Sequence, residues 1–293
     1  MSGMRDTGEH ESPDFSPFVS PEALFSSGEN AGWRFLDARG RKKFEEGHLP
    51  GAVNLPAATL NPAQSGAPRL VAPERLKARL DELGVGAGAV IIYGSRGGAD
   101  AAHVWWTLYA YGHRAALILD GGIDAWIDAG GEIERASETE TNPPPPDPAP
   151  FVPRLDTDAI MTGAELRRRL HDPALAILDT RSQAEYSGRE VAARRGGHIP
   201  GARLYSWDSS IDEHLRLRPR EQIRAGLAEP MRHPEIVTYC QSGVRAAHTF
   251  AVLTMLGHGR PRLYLASWAE WGNSSDMPVE DNGAAPEAGE DHQ

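Results

Sequence analysis

The chain has 293 residues, 40% hydrophobic and 24% charged, which is more than one ordinary core organises and predicts two globular domains, with no apolar run long enough to span a bilayer. Its formal net charge of −11 argues against nucleic acid as a partner, even beside Arg167, Arg168 and Arg169, which read as a solvated helix face. One cysteine, Cys240, excludes an internal disulfide, a resolving thiol and a cysteine-based metal cluster, and the 11 histidines lack ligand spacing, so neither metal nor other cofactor is expected.

Residues 1–20 are acidic, contain Ser and Pro, and lack the basic-then-apolar layout of a secretory signal. They read as a disordered start, and with the lone thiol they point to a cytoplasmic protein. A first domain is expected over 21–136, carrying Phe35-Leu36-Asp37-Ala38-Arg39, Gly47-His48-Leu49-Pro50-Gly51-Ala52, Val90-Ile91-Ile92-Tyr93-Gly94 and Ala101-Ala102-His103. A linker over 137–157 follows, in which Pro143 to Pro146 favour a stiff polyproline II spacer.

A second domain, 158–279, repeats the first. Ile177-Leu178-Asp179-Thr180-Arg181, Gly197-His198-Ile199-Pro200-Gly201-Ala202, Ile236-Val237-Thr238-Tyr239-Cys240 and Ala246-Ala247-His248 return in the same order. The last segment lies 145 residues on (101 to 246), as do the matching tryptophans (126 to 271), whereas Gly94 and Cys240 are 146 apart. The odd residue therefore falls in the loop after the strand. Two copies of this length mean a duplicated domain, not a solenoid. Strands are expected at Ala176–Asp179, Ala202–Tyr205, Ile236–Tyr239 and Arg262–Leu265, with helices at Thr162–His171, Pro219–Ala228, Ala246–Leu256 and Ser267–Trp271. This alternation predicts α/β domains, each a largely parallel central sheet flanked by helices. Residues 280–293 read as a disordered acidic tail.

Cys240 follows a buried-strand pattern and precedes a helix, so it should sit at the carboxyl edge of a parallel sheet, where ligands bind. A lone cysteine is by default an inert apolar residue. The loop Cys240-Gln241-Ser242-Gly243-Val244-Arg245 changes that reading. Wrapping from strand to helix, it should turn its amides inward as an anion cradle, with Gly243 supplying the turn and the helix dipole behind. Arg245 adds a permanent charge that favours the thiolate and can hold an oxyanion donor, unless it serves only in an ion pair. Gln241 and Ser242 carry side chains able to hydrogen-bond a substrate.

These segments resemble the tandem rhodanese-type sulfurtransferases, over about Phe25 to Glu134 and Asp158 to Pro278. The resemblance implies a first domain silenced by Gly94 at the cysteine position. In the second, the Cys240 thiolate takes a sulfane sulfur from a small anionic donor and passes it on from a persulfide. Thiosulfate is the expected donor and 3-mercaptopyruvate the alternative; cyanide, a thiol or a thioredoxin-like protein is the acceptor. The resemblance also makes Arg181 a brace or a donor-binding residue, with Glu185 as its expected partner. Glu185 stands near where some thiosulfate enzymes carry a substrate-binding arginine. Asp179 and Gly197 are eight residues further apart than Asp37 and Gly47, and Arg189, Arg194 and Arg195 in that insertion are candidates to replace it. Ser242 with His48 could move a proton, although His48 recurs as His198 and reads as structural. Trp105, Trp106, Trp207, Trp268 and Trp271 read as core or interdomain packing.

Two other classes compete. A cysteine phosphatase would need Cys-x5-Arg to ring a phosphate, and the spacing here is Cys-x4-Arg. A binding module without turnover is the third reading, since a fold alone fixes no function.

Overall fold

The computed structural model describes residues 15–28, 32–60, 63–64, 66–95, 97–135 and 149–281. The first half runs β1 (Phe18–Val19), α1 (Pro21–Ser26), β2 (Arg34–Asp37), α2 (Arg41–Glu46), β3 (Val53–Asn54), β4 (Ala63–Gln64), β5 (Ala67–Pro68), α3 (Pro73–Glu82), β6 (Val90–Tyr93), α4 (Ala99–Ala110), β7 (Ala116–Leu119) and α5 (Gly122–Asp128). The second runs α6 (Gly163–Arg168), β8 (Leu175–Asp179), α7 (Gln183–Tyr186), β9 (Arg203–Leu204), α8 (Arg220–Gly226), β10 (Glu235–Tyr239), α9 (Val244–Met255), β11 (Pro261–Leu263) and α10 (Ser267–Trp271).

Each half forms a parallel sheet, ordered β1-β7-β6-β2-β3 and β11-β10-β8-β9. Every residue of β6, β8 and β10 is buried, as expected of parallel strands covered on both faces. The halves also close alike. The backbone of His48 pairs antiparallel with Glu134, and that of His198 with Glu280.

The expected strands and helices of the second half are all present, with ends displaced by at most three residues. Thr162 lies outside α6 as its cap, its hydroxyl accepting from the Glu165 amide at 3.2 Å. Three expected boundaries are corrected. Phe18 and Val19, assigned to a disordered start, pair with Ile118 and Leu119 at the edge of the first sheet. Glu280, assigned to the tail, is held by the His198 backbone at 2.8 and 3.0 Å. The described end of the linker is no free spacer: Ala149, Arg154 and Asp156 bond the backbones of Ala87, Tyr111 and Ala110, and Phe151 is buried against His113. Residues 1–14, the four prolines and residues 282–293 lie outside the described residues.

The halves join through α4 and α9, the helices that follow the two central strands. Both are apolar nearly all round because one side covers its own sheet and the other meets the sister helix. Phe250 packs against Trp105 and Tyr109, with ring centres 6.2 and 5.5 Å apart. One apolar cluster consequently runs from the first domain through to Cys240 and Leu265. Among the described residues no helix is long and apolar enough to cross a membrane.

Candidate active site

Cys240 is the first residue past β10, which lies between β8 and β11. The strand end is fastened from behind by groups that the repeated motifs supply. Arg181 donates to Asp179 through Nε (3.0 and 3.1 Å) and Nη2 (2.6 Å), and reaches the Gly197 carbonyl at 2.7 Å. The Tyr239 hydroxyl donates to Asp179 at 2.6 Å and accepts from the Ile199 amide at 3.1 Å. Burial, and then the Asp179 charge, push the Tyr239 phenol up, so it remains a donor. Asp37, Arg39, Gly47, Leu49 and Tyr93 repeat much of this fastening in the first domain.

The structure places Arg181 in a bracing position behind the strand end. It is 1% exposed, paired with Asp179 and covered by the Trp268 ring at 4.4 Å. Glu185 is not its partner. The Glu185 carboxylate accepts from Nη1 and Nη2 of Arg245, at 2.7 and 2.8 Å, and closes a capping box with Ser182 at the start of α7. Burial raises the Glu185 carboxyl, but Arg245 and the Ser182 amide outweigh it and hold it at about 2. Burial likewise opposes the Arg245 charge, while Glu185 and then the neighbouring Cys240 hold it up. Arg245 thus stands beside the sulfur in an ion pair.

The loop turns on Gly243 at φ +83°, where an added Cβ would lie 2.9 Å from the Leu265 carbonyl oxygen, so only glycine fits. Val244 begins α9. The amides of Gln241 through Ala246 donate to no acceptor among the described residues, leaving a row of unused donors at a helix's positive end. Their side chains are arranged unevenly. Gln241 reaches the Ala192 carbonyl at 3.2 Å, and Gln241, Ser242, Val244 and Arg245 are half-exposed around the loop. Cys240 itself is 1% exposed, so a donor approaches across that rim.

The insertion does not bring all three of its arginines to the site. Arg195 is committed to the end of α10, donating to the carbonyls of Trp271 and Met277, both at 2.7 Å, and of Ser274. Arg189 and Arg194 are exposed. His48 and His198 stack on Phe44 and Tyr186 with Nδ1 2.9 Å from a main-chain carbonyl oxygen in each case, which is a structural arrangement. Trp105, Trp106, Trp268 and Trp271 are buried and Trp207 is half-buried, edge-on to His248.

The first copy of the loop has been filled from within. A Cβ on Gly94 would lie 2.0 Å from Asp100 Oδ1. That carboxylate accepts from the amides of Ser95 (3.0 and 3.2 Å) and Ala101 (2.9 Å). The amides of this turn thus hold an anion where the second copy has a thiol.

Besides the Arg245–Glu185 pair, sequence reasoning missed a contact of the cysteine itself. The Cys240 amide donates to Ser267 Oγ at 3.1 Å. Ser267 was visible only as the start of α10, and its separation of 27 residues from Cys240 leaves no local signal.

Comparison with known proteins agrees with this fold. The model of the rhodanese-like domain matches residues 20–129 and 162–274. A thiosulfate sulfurtransferase of Azotobacter vinelandii is 35% identical over 84% of this chain and 90% of its own length. A probable 3-mercaptopyruvate sulfurtransferase of Pseudomonas aeruginosa is 32% identical over 82% and 86%. Among solved structures, YnjE superposes with a TM-score of 0.78 at 25% identity, covering 92% of this chain and 69% of its own. EanB bound to ergothioneine shares the fold, with TM-score 0.78, 22% identity, and coverage of 92% and 71%.

Proposed function

The chain belongs to the rhodanese family, with two copies of its domain, and on that premise we propose that Cys240 carries sulfur from thiosulfate to a nucleophilic acceptor. The thiolate attacks the sulfane sulfur, the sulfur–sulfur bond of the donor breaks, and sulfite leaves with the electron pair. A Cys240 persulfide remains. Cyanide or a thiol then attacks the terminal sulfur and returns the thiolate, so one cysteine suffices.

The observation that carries this reading is the row of amides from Gln241 to Ala246 that donate to no acceptor among the described residues, in the loop that starts at the only cysteine of the sequence and contains Arg245. These groups stabilise negative charge on the thiolate, the persulfide and the departing sulfite. Gln241, Ser242, Gly243, Val244 and Arg245 form the donor-binding rim, and the first domain supplies packing without a nucleophile. Cys-x4-Arg leaves a ring smaller than a phosphatase needs. The lone thiol, with no resolving partner, suits a reducing cytoplasm and a low-molecular-weight thiol or thioredoxin-like acceptor.

The test compares thiosulfate with 3-mercaptopyruvate as donors on one sample, with cyanide as acceptor. Higher kcat/KM with thiosulfate is expected, and none with Cys240→Ala. A large preference for mercaptopyruvate would reverse the donor assignment.

A further inference from the structure

Ser267 begins α10, is completely buried, and is one of two residues other than glycine with positive φ among those described, at +52°. A side chain in this region carries strain of about 1 kcal/mol or more and persists only where the surroundings enforce it. Here they do. Ser267 Oγ donates to the Tyr264 carbonyl at 2.8 Å and accepts from the Cys240 amide at 3.1 Å. The next residue, Trp268, returns its amide to the Cys240 carbonyl at 3.0 Å. Both main-chain polar groups of the cysteine are thus tied to the turn between β11 and α10.

The duplication supplies an internal control. The matching residue, 145 positions earlier (122 to 267), is Gly122, with nearly the same φ of +64°. The return bond survives there, Ile123 donating to the Gly94 carbonyl at 3.3 Å. The whole serine side chain, Cβ and hydroxyl, has gone. A Cβ on Gly122 would lie 2.5 Å from that carbonyl oxygen, so the strain-free residue stands in the copy without a nucleophile, and the strained serine in the copy that has one.

We infer that Ser267 is a positioning residue for the Cys240 reaction: its hydroxyl fixes the cysteine backbone so that the sulfur stays at the mouth of the amide loop. The inference rests on the sulfur-transfer reading above. With the Cys240 amide anchored, the Cα–Cβ direction is set at the point where β10 ends. Without the anchor, the Cys240 amide loses its acceptor at the point where the strand ends and the loop begins.

The test uses Ser267→Gly, which installs the residue the first domain already folds with, and Ser267→Ala, which keeps the Cβ and loses only the oxygen. Two rates are read: alkylation of Cys240 by iodoacetamide, which involves no sulfur donor, and single-turnover loading from thiosulfate. Both variants should lose about tenfold in each rate, the worth of one well-placed hydrogen bond. The thiosulfate concentration for half-maximal loading and the Ser267→Gly unfolding midpoint should stay at the wild-type values. Rates within about twofold of wild type in both variants, or a loss that tracks a lower unfolding midpoint in both, would overturn the inference. If wild type fails to load sulfur at all, the functional reading fails, while the alkylation rates still decide the role of Ser267.

Discussion

At the scale of single residues, the site depends on charges that are paired yet close to the sulfur. Arg245 contributes its field while Glu185 fixes its position and lowers its desolvation cost. Arg245→Gln should therefore weaken kcat/KM for thiosulfate by about tenfold or more. It should also lower unfolding free energy by about 2 kcal/mol, because it strands a buried carboxylate. Adding Glu185→Gln should restore much of the stability and little of the activity, as a double-mutant cycle in urea and steady-state kinetics would read. The pair has a definite pH window. The folded Glu185 carboxyl, at about 2, lies below its ordinary value, so its contribution is complete above roughly pH 4.5 and is lost as pH falls toward 2. This partnership was not legible in the sequence. The residues are 60 positions apart, and Arg181, which sits closer in the chain, is already taken by Asp179.

At the scale of elements, the strand-loop-helix unit was the most legible part, because a β-branched and aromatic run ending in Cys240 and a helical pattern from Ala246 leave little choice about what joins them. Gly243 shows what that junction demands. Gly243→Ala would place a Cβ at φ +83° against the Leu265 backbone, and should cost about 2 kcal/mol in denaturant unfolding while reducing sulfur transfer more than tenfold. Unchanged activity in that variant would mean the loop geometry does not matter. Shorter elements left weaker traces. β1 has two residues, too few for alternation to register, and its pairing with β7 is decided about a hundred residues away. Ser267 reads locally as an ordinary helix-start serine, and its function depends on the backbone turn that only the folded sheet imposes.

At the scale of the whole molecule, duplication has produced two domains that share one apolar cluster and have a single cysteine between them. The sister helices α4 and α9 bury His103 and His248 at matching positions, and desolvation lowers both to about 4. Each is therefore neutral when folded and charges on unfolding at mildly acid pH. Folded values below the unfolded one mean stability that is full above about pH 6.5 and falls as pH drops toward 4, by roughly 3 kcal/mol per imidazole. Urea unfolding at pH 7 and pH 4.5 should show this loss, and His248→Gln should reduce it; a flat profile would contradict the burial. The two-domain plan was legible from the repeat itself. The packing of residues 149–156 along the first domain was not, since a proline-rich composition marks a boundary without saying which surface the chain follows afterwards.

The account stands on one sulfur atom moving onto Cys240. Intact-mass measurement of the protein before and after thiosulfate, with Cys240→Ala beside it, reads that event directly. The expected result is a gain of one sulfur on the wild type, removed by cyanide, and none on the variant. A wild-type mass that stays unchanged under conditions where Cys240 can be alkylated would contradict the sulfur-carrier role.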